Sequence, residues 1–501
     1  MQRDLPRFSK QSYDLLVIGG GINGAAIAHL AALRKMKVAL VEKGDFAGGT
    51  SSKSCKLMHG GIRYLETFQF SLVREALRER HFHLEAAPHL VKPLPFIVPV
   101  YEEDRRPLWK MKVGVWLYDL LAGRFRAGKH EFLDSAALLQ AAPGLKREGL
   151  RGGVLYYDAQ MDDVRVCLEN VLAADAHGAH VANYTEVTGF LKQNGRVAGV
   201  RVRDTLDPSQ PPVEIRARHV FAACGAWTNA LLKIDEPKAE PRVRPTKGVH
   251  LVIPKKISDR AFLIPAKRDN RVFFILPWRN NTMIGTTDTD YDGDPDDVKV
   301  EESDIAYLLE ETRRVFPGFR VDRRDITASF AGLRPLIRKT GQASSIPREH
   351  EIFQTMSGLW CVVGGKYTTY RVIAEDCVDR LQPNSLVRIQ SLYGSGPLPQ
   401  HPDELAREYG VSSEVLQALM AFYGSRFRDI LDLVRREPSL GEPAAVGLPL
   451  IRAQFVYACR QEMARTPEDI LYRRLSLGYS PLEMDRHREA LEQAARAAFK
   501  S

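Results

Sequence analysis

Hydrophobic and polar positions alternate along this chain in blocks that predict a mixed α/β protein. The clearest block is Asp14 to Asp45. An apolar run, Leu15 to Ile18, ends at Gly19, Gly20 and Gly21, as a buried parallel strand closing in a tight turn would. Ile22 to Leu33, rich in Ala and Leu, reads as a helix, and Val38 to Val41 as a second strand ending in Glu42. Residues 70–90 read as an amphipathic helix ending near Pro88. KPLPFIVPVYEED, with its recurring prolines, reads as an edge strand or extended segment. The stretch 105–130 mixes Trp109, Trp116 and Tyr118 with Lys and Arg. It reads as a cap helix turning its aromatic face inward, the alternative being a face laid on a membrane.

Further along, 156–181 reads as a strand and a helix closed by Gly178, and Asn194-Gly195 marks a hairpin turn. HVFAACGAWTNALL (219–232) and WCVVGGKYTTYRVIAEDCVDRL (360–381) repeat the strand, small-residue turn and helix of the first block. One domain is therefore assembled from distant pieces. Residues 242–290 are strand-like, 301–316 helical, 397–402 a proline-rich linker, and the remainder to 501 a separate α domain.

Composition narrows the class. The 501 residues are 44% hydrophobic and 27% charged, enough for two or three domains with sizeable cores. The six cysteines (Cys55, Cys167, Cys224, Cys361, Cys377, Cys459) are scattered without a C-x-x-C pair, which argues against a zinc site or a disulfide framework; no metal is expected. No long uninterrupted apolar run occurs and the first residues lack a secretory apolar core, so a cytoplasmic protein is expected. Basic residues (71) are interspersed with acids (62) and form no stripe with stacking aromatics, which argues against nucleic acid as a partner.

Gly19, Gly21 and Gly24 carry the G-x-G-x-x-G spacing between strand and helix, which allows a pyrophosphate to approach the helix N-terminus. Glu42 stands where it can accept hydrogen bonds from a ribose. The following loop, 43–66, holds Gly48, Gly49, Thr50, Ser51 and Ser52, then Lys56, His59, Gly60, Gly61 and Arg63. It is polar and glycine-rich, suited to run along an extended cofactor.

DLLVIGGGINGAAIA, TSSKSCKLMHGGIRYLE, VREALRERHFHLEAAPHLVKPLPF, KGVHLVIP, LPWRNNTMIGTTDTDYDGDP, AGLRPL and GGKYTTYR together resemble the FAD-dependent, quinone-linked glycerol-3-phosphate dehydrogenases. The resemblance runs from about 12 to about 385 and, less specifically, into YACRQEMARTPEDIL. It implies a Rossmann-like FAD domain (12–85, 150–233, 352–385) of the glutathione-reductase and D-amino-acid-oxidase type. This would be interleaved with a mixed-sheet substrate or cap domain (86–149, 234–351) and followed by a helical domain (395–501). It further implies non-covalent FAD contacted by Gly19, Gly21, Asn23, Gly24, Glu42, Lys43, Thr50, Ser51, Ser52, Lys56, His59, Gly60, Gly225, Trp227, Gly364, Gly365, Lys366 and Thr368.

The implied reaction oxidises sn-glycerol 3-phosphate to dihydroxyacetone phosphate, with electrons passing to a membrane quinone. A glycerol-3-phosphate oxidase using O2 is the alternative. A phosphate monoester needs converging cations. Arg63, Arg334, Arg348 and Lys366, with Tyr64 beside them, match the family's substrate positions, although Pro347 departs from the pattern at Arg348. His250 matches the family's histidine beside the substrate; a base with a pKa near neutrality suits loss of the hydroxyl proton. Lys366 and the helix after Gly364-Gly365 would face the charge that builds on the reduced flavin. Thr286, Thr287 and Asp288 resemble a turn near the active site. Peripheral attachment to the anionic inner face of the cell membrane is expected, with a homodimer as one arrangement.

Overall fold

The computed structural model describes residues 1–338, 349–479 and 481–500. Its first sheet has eight strands. Ser12–Ile18 lies between Val38–Val41 and Val213–Ala222, parallel to both. His180–Ala182 extends the parallel run beyond Val38–Val41. Trp360–Gly364 extends it on the other side, with His350–Gln354 as an antiparallel edge. The hairpin Thr185–Gln193 and Arg196–Asp204 joins the N-terminal part of Val213–Ala222. Its turn is made by Asn194 (φ 52°) and Gly195 (φ 77°), the paired positive φ that matches strand twist.

Helix Ile22–Leu33 packs between Asp163–Ala176 and Tyr370–Asp379. It is buried on nearly every side because its alanines let both neighbours approach closely. Ile27 has no solvent exposure, so its truncation to Ala would cost about 2–5 kcal/mol.

The second sheet has ten strands and is largely antiparallel. Val243–Ile253 pairs along almost its whole length with Ala328–Ile337, and on its other side with Asn281–Gly285. Val272–Trp278, Ala261–Pro265, Val91–Tyr101, Leu150–Met161 and Leu57–Met58 follow in order across the sheet. Leu150–Met161, assigned to the cofactor domain by its position in the sequence, is thus a strand of this second sheet, while the helix after it packs on the first.

Val91–Tyr101 is not an edge strand. It pairs with Leu150–Met161 along one side and with Ala261–Pro265 on the other. The second pairing involves only Phe96 and Ile97, so Pro93, Pro95 and Pro99 fall where that side has no ladder to break. The helix Leu108–Ala122 also departs from expectation. It buries Val115, Tyr118, Asp119 and Ala122 and turns Trp109, Val113, Trp116 and Leu120 outward, with Trp109 67% exposed.

The C-terminal helices (Pro402–Glu408, Ser413–Tyr423, Phe427–Arg436, Arg452–Arg460, Pro481–Ala498) enclose a core of their own. Buried charges tie this unit to the first domain. Arg474 grips both oxygens of Asp45 at 2.6 and 2.7 Å, and Arg165 meets Glu462 at 2.7 Å. Removing one partner of such a pair leaves a buried charge uncompensated, at a cost of roughly 3–5 kcal/mol.

Candidate active site

The two sheets meet along a cavity of about 1100 Å³, slightly above the usual range for small-molecule sites. The glycine turn forms one end. Gly19 has φ +108°, and a Cβ there would lie 2.7 Å from the Ala223 carbonyl oxygen. A Cβ on Gly24 would fall 1.9 Å from the carbonyl oxygen of Gly19, so Gly24 serves the close contact of helix and strand and does not line the cavity. Gly21, Ile22 and Asn23 do line it, and the first helical amide, Ile22 N–H, donates to Ser51 Oγ at 2.9 Å.

Glu42 lines the cavity, but its carboxylate is already engaged locally. Gly20 N–H donates to it at 2.7 Å and Gly44 N–H at 2.9 Å. Burial raises its pKa, against the pull of those two amides. These bonds fix the carboxylate at the strand end and leave only its remaining lone pairs for a ribose. Lys43 reaches Asp296 at 2.7 Å and lies 4.9 Å from the centre of the Trp227 ring, whose Nε1–H donates to the same Asp296 at 2.9 Å. Thr50 Oγ1 donates to the Leu333 carbonyl at 2.7 Å, joining the loop to the second sheet.

Besides Gly24, three more residues expected at the cofactor lie outside the cavity. Lys56 is buried, with Nζ 2.6 Å from Asp163 and 2.7 Å from the Ser52 carbonyl oxygen; an apolar setting makes that carboxylate a stronger partner than a solvated ligand would be. Ser52 donates its hydroxyl to the Gly49 carbonyl, closing the turn. Gly60 N–H donates to Asp158, a buried carboxylate that also takes Arg80 and Tyr118.

The other end of the cavity carries the chemistry-bearing groups. Thr368 lines the wall there; its hydroxyl accepts from His59 N–H at 3.2 Å and so fixes the His59 loop beside Gly364, Gly365 and Lys366. Burial, reinforced by Lys366, Arg63 and Arg80, pushes His59 down to about pKa 3. Lys366 Nζ lies 4.0 Å from the Tyr64 ring centre, and Arg63 donates to the Tyr64 hydroxyl at 3.1 Å. Lys366 precedes a short turn (Tyr367–Thr369), so the helix Tyr370–Asp379 begins a turn later than its glycines suggested.

Arg334 is held by three acceptors: Asp288 Oδ1 at 3.1 Å, Thr286 Oγ1 at 2.9 Å and the Thr287 carbonyl at 3.2 Å. The 286–288 turn thus fixes a guanidinium in the cavity wall. Arg271 also donates to the Asp288 carbonyl and lines the same space. Arg348 lies outside the described residues.

His250 stands on Val243–Ile253, stacked on Phe330 (4.9 Å between ring centres, 18° between planes). Its Nε2 is 3.2 Å from Cys55 Sγ, and its buried Nδ1 has no hydrogen-bond partner among the described residues. Burial, then Arg334 and Lys56, pushes its pKa down to about 3, not to the neutral value expected. The ring is neutral at physiological pH and able to accept a proton. A dianion placed beside Arg334 would reverse part of that depression.

Sequence reasoning passed over Cys55, Arg271, Asp296, Lys53 and Arg473, all of which line the cavity. Cys55 and Lys53 lay inside a loop already flagged. Arg473 lay in the C-terminal domain, with no local signal linking it to the site.

Residues 14–375 match the family described as FAD dependent oxidoreductase, and residues 388–500 the C-terminal domain of alpha-glycerophosphate oxidase. Glycerol-3-phosphate dehydrogenase of Synechocystis sp. is 37% identical over 95% of this chain and 90% of its own. That of Mycobacterium leprae is 39% identical over 94% and 82%. The crystal structure of glycerol-3-phosphate dehydrogenase from Bacillus halodurans complexed with FAD superposes with a TM-score of 0.80, at 31% identity, covering 99% of this chain and 93% of that one. A glycine cradle at a helix N-terminus, a long two-ended cavity and nearly full-length likeness agree: the chain belongs to the FAD-dependent glycerol-3-phosphate dehydrogenases.

Proposed function

We propose that this enzyme oxidises sn-glycerol 3-phosphate to dihydroxyacetone phosphate and delivers the electrons to a membrane quinone. The observation that carries the reading is the cluster of Arg63, Arg334, Lys366 and His250 at one end of a cavity whose other end is a dinucleotide cradle. The cradle fits FAD: Gly19, Gly21 and Asn23 would hold the diphosphate, Glu42 the ribose, and Gly364, Gly365 and Thr368 would border the flavin, all of them lining the one cavity. FAD supplies the hydride acceptor.

The protein's own residues do the rest. Arg334, fixed by Asp288 and Thr286, presents its fork to the phosphate, and Arg63 and Lys366 add charge beside it. Together they would hold the substrate in one orientation, converting binding energy into alignment. His250 takes the C2 hydroxyl proton at Nε2, displacing the contact with Cys55, as the hydride leaves C2. Two electrons and one proton thus leave with the hydride, and the second proton rests on the imidazole until solvent removes it. Phe330 holds the ring plane, and the buried setting keeps the imidazole unprotonated beforehand.

The exposed stripe Trp109, Val113, Trp116 and Leu120, with Lys110 and Lys112 beside it, supports peripheral contact with an anionic membrane, where a quinone would be reached. No helix among the described residues is long and apolar enough to cross a membrane.

The test is product and acceptor analysis of the purified flavoprotein. Dihydroxyacetone phosphate formed with a short-chain quinone, and little hydrogen peroxide in air, is the expected result. Stoichiometric hydrogen peroxide without any quinone requirement would make the enzyme an oxidase. No turnover with either acceptor would remove the substrate assignment.

A further inference from the structure

Lys56 does not line the cavity, but its contacts serve the residue before it. Ser54 donates to Asp163 Oδ2 through its N–H at 3.3 Å and its hydroxyl at 2.7 Å, and Lys56 Nζ reaches Asp163 Oδ1 at 2.6 Å. Lys56 N–H donates back to Ser54 Oγ at 3.0 Å, with Lys56 in the left-handed region (φ 57°). Asp163 is fully buried and opens the helix Asp163–Ala176, so the anchor is rigid. Cys55 is thus pinned from both sides. Its thiol lines the cavity and stands 3.2 Å from His250 Nε2.

The imidazole is held against that thiol. Phe330 stacks on its plane, and its Cδ2 edge packs so closely on Gly285 that a Cβ there would lie 2.3 Å away. Nδ1 is buried without a partner, so among the described residues the contact with Cys55 is the one hydrogen bond of the ring. A neutral imidazole carries a single N–H, and the hydrogen bonds at its two nitrogens decide which of them bears it. Nδ1 lacks a partner in either tautomer, so the choice falls to Cys55. A thiol sulfur is a weak acceptor, whereas the imidazole lone pair accepts well, so S–H donating to Nε2 is the better of the two pairings. Burial raises the thiol above its ordinary pKa, which keeps the proton on sulfur at neutral pH.

We propose that Cys55 is a positioning residue for the reaction: its thiol donates to His250 Nε2, keeps the ring hydrogen on Nδ1, and so maintains the lone pair that receives the C2 hydroxyl proton. This rests on the assignment of His250 as the proton acceptor. The weakness of the thiol suits the task. The substrate hydroxyl displaces it readily and meets a nitrogen already in its accepting form. A hydrogen bond of ordinary strength shifts a tautomer ratio by about two- to tenfold, and this sets the size of the effect.

The experiment uses the full-length, FAD-loaded, oxidised enzyme with histidine isotopically labelled on its ring nitrogens for NMR. The His250 signals are assigned by their loss in His250→Gln. The wild-type ring should show a protonated Nδ1 and a bare Nε2. Cys55→Ala should move the population toward Nε2–H and lower kcat per bound flavin by about two- to tenfold, with KM for sn-glycerol 3-phosphate unchanged. Cys55→Ser, which keeps a donor at the same place, should restore the Nδ1–H tautomer and most of kcat. A wild-type ring protonated at Nε2, or a Cys55→Ala enzyme with wild-type tautomer and kcat, overturns the proposal. A loss in Cys55→Ala confined to flavin content or to KM overturns it too, since packing alone gives that pattern, as does failure of Cys55→Ser to restore either readout. The expected wild-type tautomer together with a kcat indifferent to His250→Gln overturns the base assignment itself, and the role of Cys55 with it.

Discussion

Replacing Arg334 with lysine separates two ways in which this side chain could bind a phosphate. Both residues carry one positive charge, so the field in the cavity is nearly preserved. What is lost is the planar fork, which spends one N–H of Nη1 on Asp288, bonds Thr286 and Thr287 through Nη2, and lines the cavity with donors to spare. A lysine ammonium has three donors at one point and cannot hold that turn and a phosphate together. A hydrogen bond to a charged group contributes roughly 1.5–3 kcal/mol, so losing one lowers kcat/KM by about 10- to 150-fold. Arg334→Met, which removes the charge and leaves Asp288 without its guanidinium, should be worse still. Asp288→Asn, which loosens the guanidinium without removing it, should fall between wild type and lysine. The assay is steady-state kinetics on variants matched for flavin content, with the loss seen mainly in KM. Arg334→Lys within about twofold of wild type would refute the argument that fork geometry, and not charge alone, selects the phosphate.

Three further outcomes concern the proton acceptor, the buried histidines and the exposed helix Leu108–Ala122. His250→Gln should lower kcat by roughly 10²- to 10⁴-fold with FAD affinity unchanged, and a loss under threefold would move the proton to another group. His59, His83 and His250 are each pushed to about pKa 3, largely by burial, whereas the unfolded chain binds these protons near 6.5. The unfolded state therefore gains protons first, and stability is lost as pH falls from about 6.5 toward 3. Each group costs on the order of 3 kcal/mol by pH 4.5, and the three together several kcal/mol, a large share of a domain's stability. Thermal melts should show a steep fall in Tm across that window, and a flat profile down to pH 4.5 would contradict the burial argument. Finally, Trp109→Ser with Trp116→Ser should abolish sedimentation with vesicles containing anionic phosphatidylglycerol while sparing turnover of a soluble acceptor; unchanged sedimentation would place any membrane contact elsewhere.

Much of the cofactor domain was legible because its signals are local. The bounds of helix Ile22–Leu33 and strand Val38–Val41 follow from glycine punctuation and an unbroken apolar run, and the hairpin turn from Asn194-Gly195. What failed depends on neighbours. The prolines of Val91–Tyr101 read as an edge, yet the strand has a partner on each side, and it tolerates them because the second partner pairs only with Phe96 and Ile97. The helix Leu108–Ala122 is apolar almost all round, so its pattern does not say which side is buried. Lys56 looked like a ligand because nothing near it in sequence announces Asp163. The residue type at position 250 was readable, but its proton affinity is set by burial, then by Arg334 on a neighbouring strand and by Lys56, none of them close to it in sequence.

The central claim is that one cavity joins an FAD cradle to a phosphate-binding, proton-accepting end. Its most direct test is anaerobic titration of the purified flavoprotein with sn-glycerol 3-phosphate, followed at the oxidised-flavin absorbance near about 450 nm. Bleaching by this substrate, but not by glycerol, lactate or a D-amino acid, is the predicted result, and it should be lost in Arg334→Met and slowed in His250→Gln. A bound flavin that stays oxidised with glycerol 3-phosphate, or is bleached equally by glycerol, would contradict it.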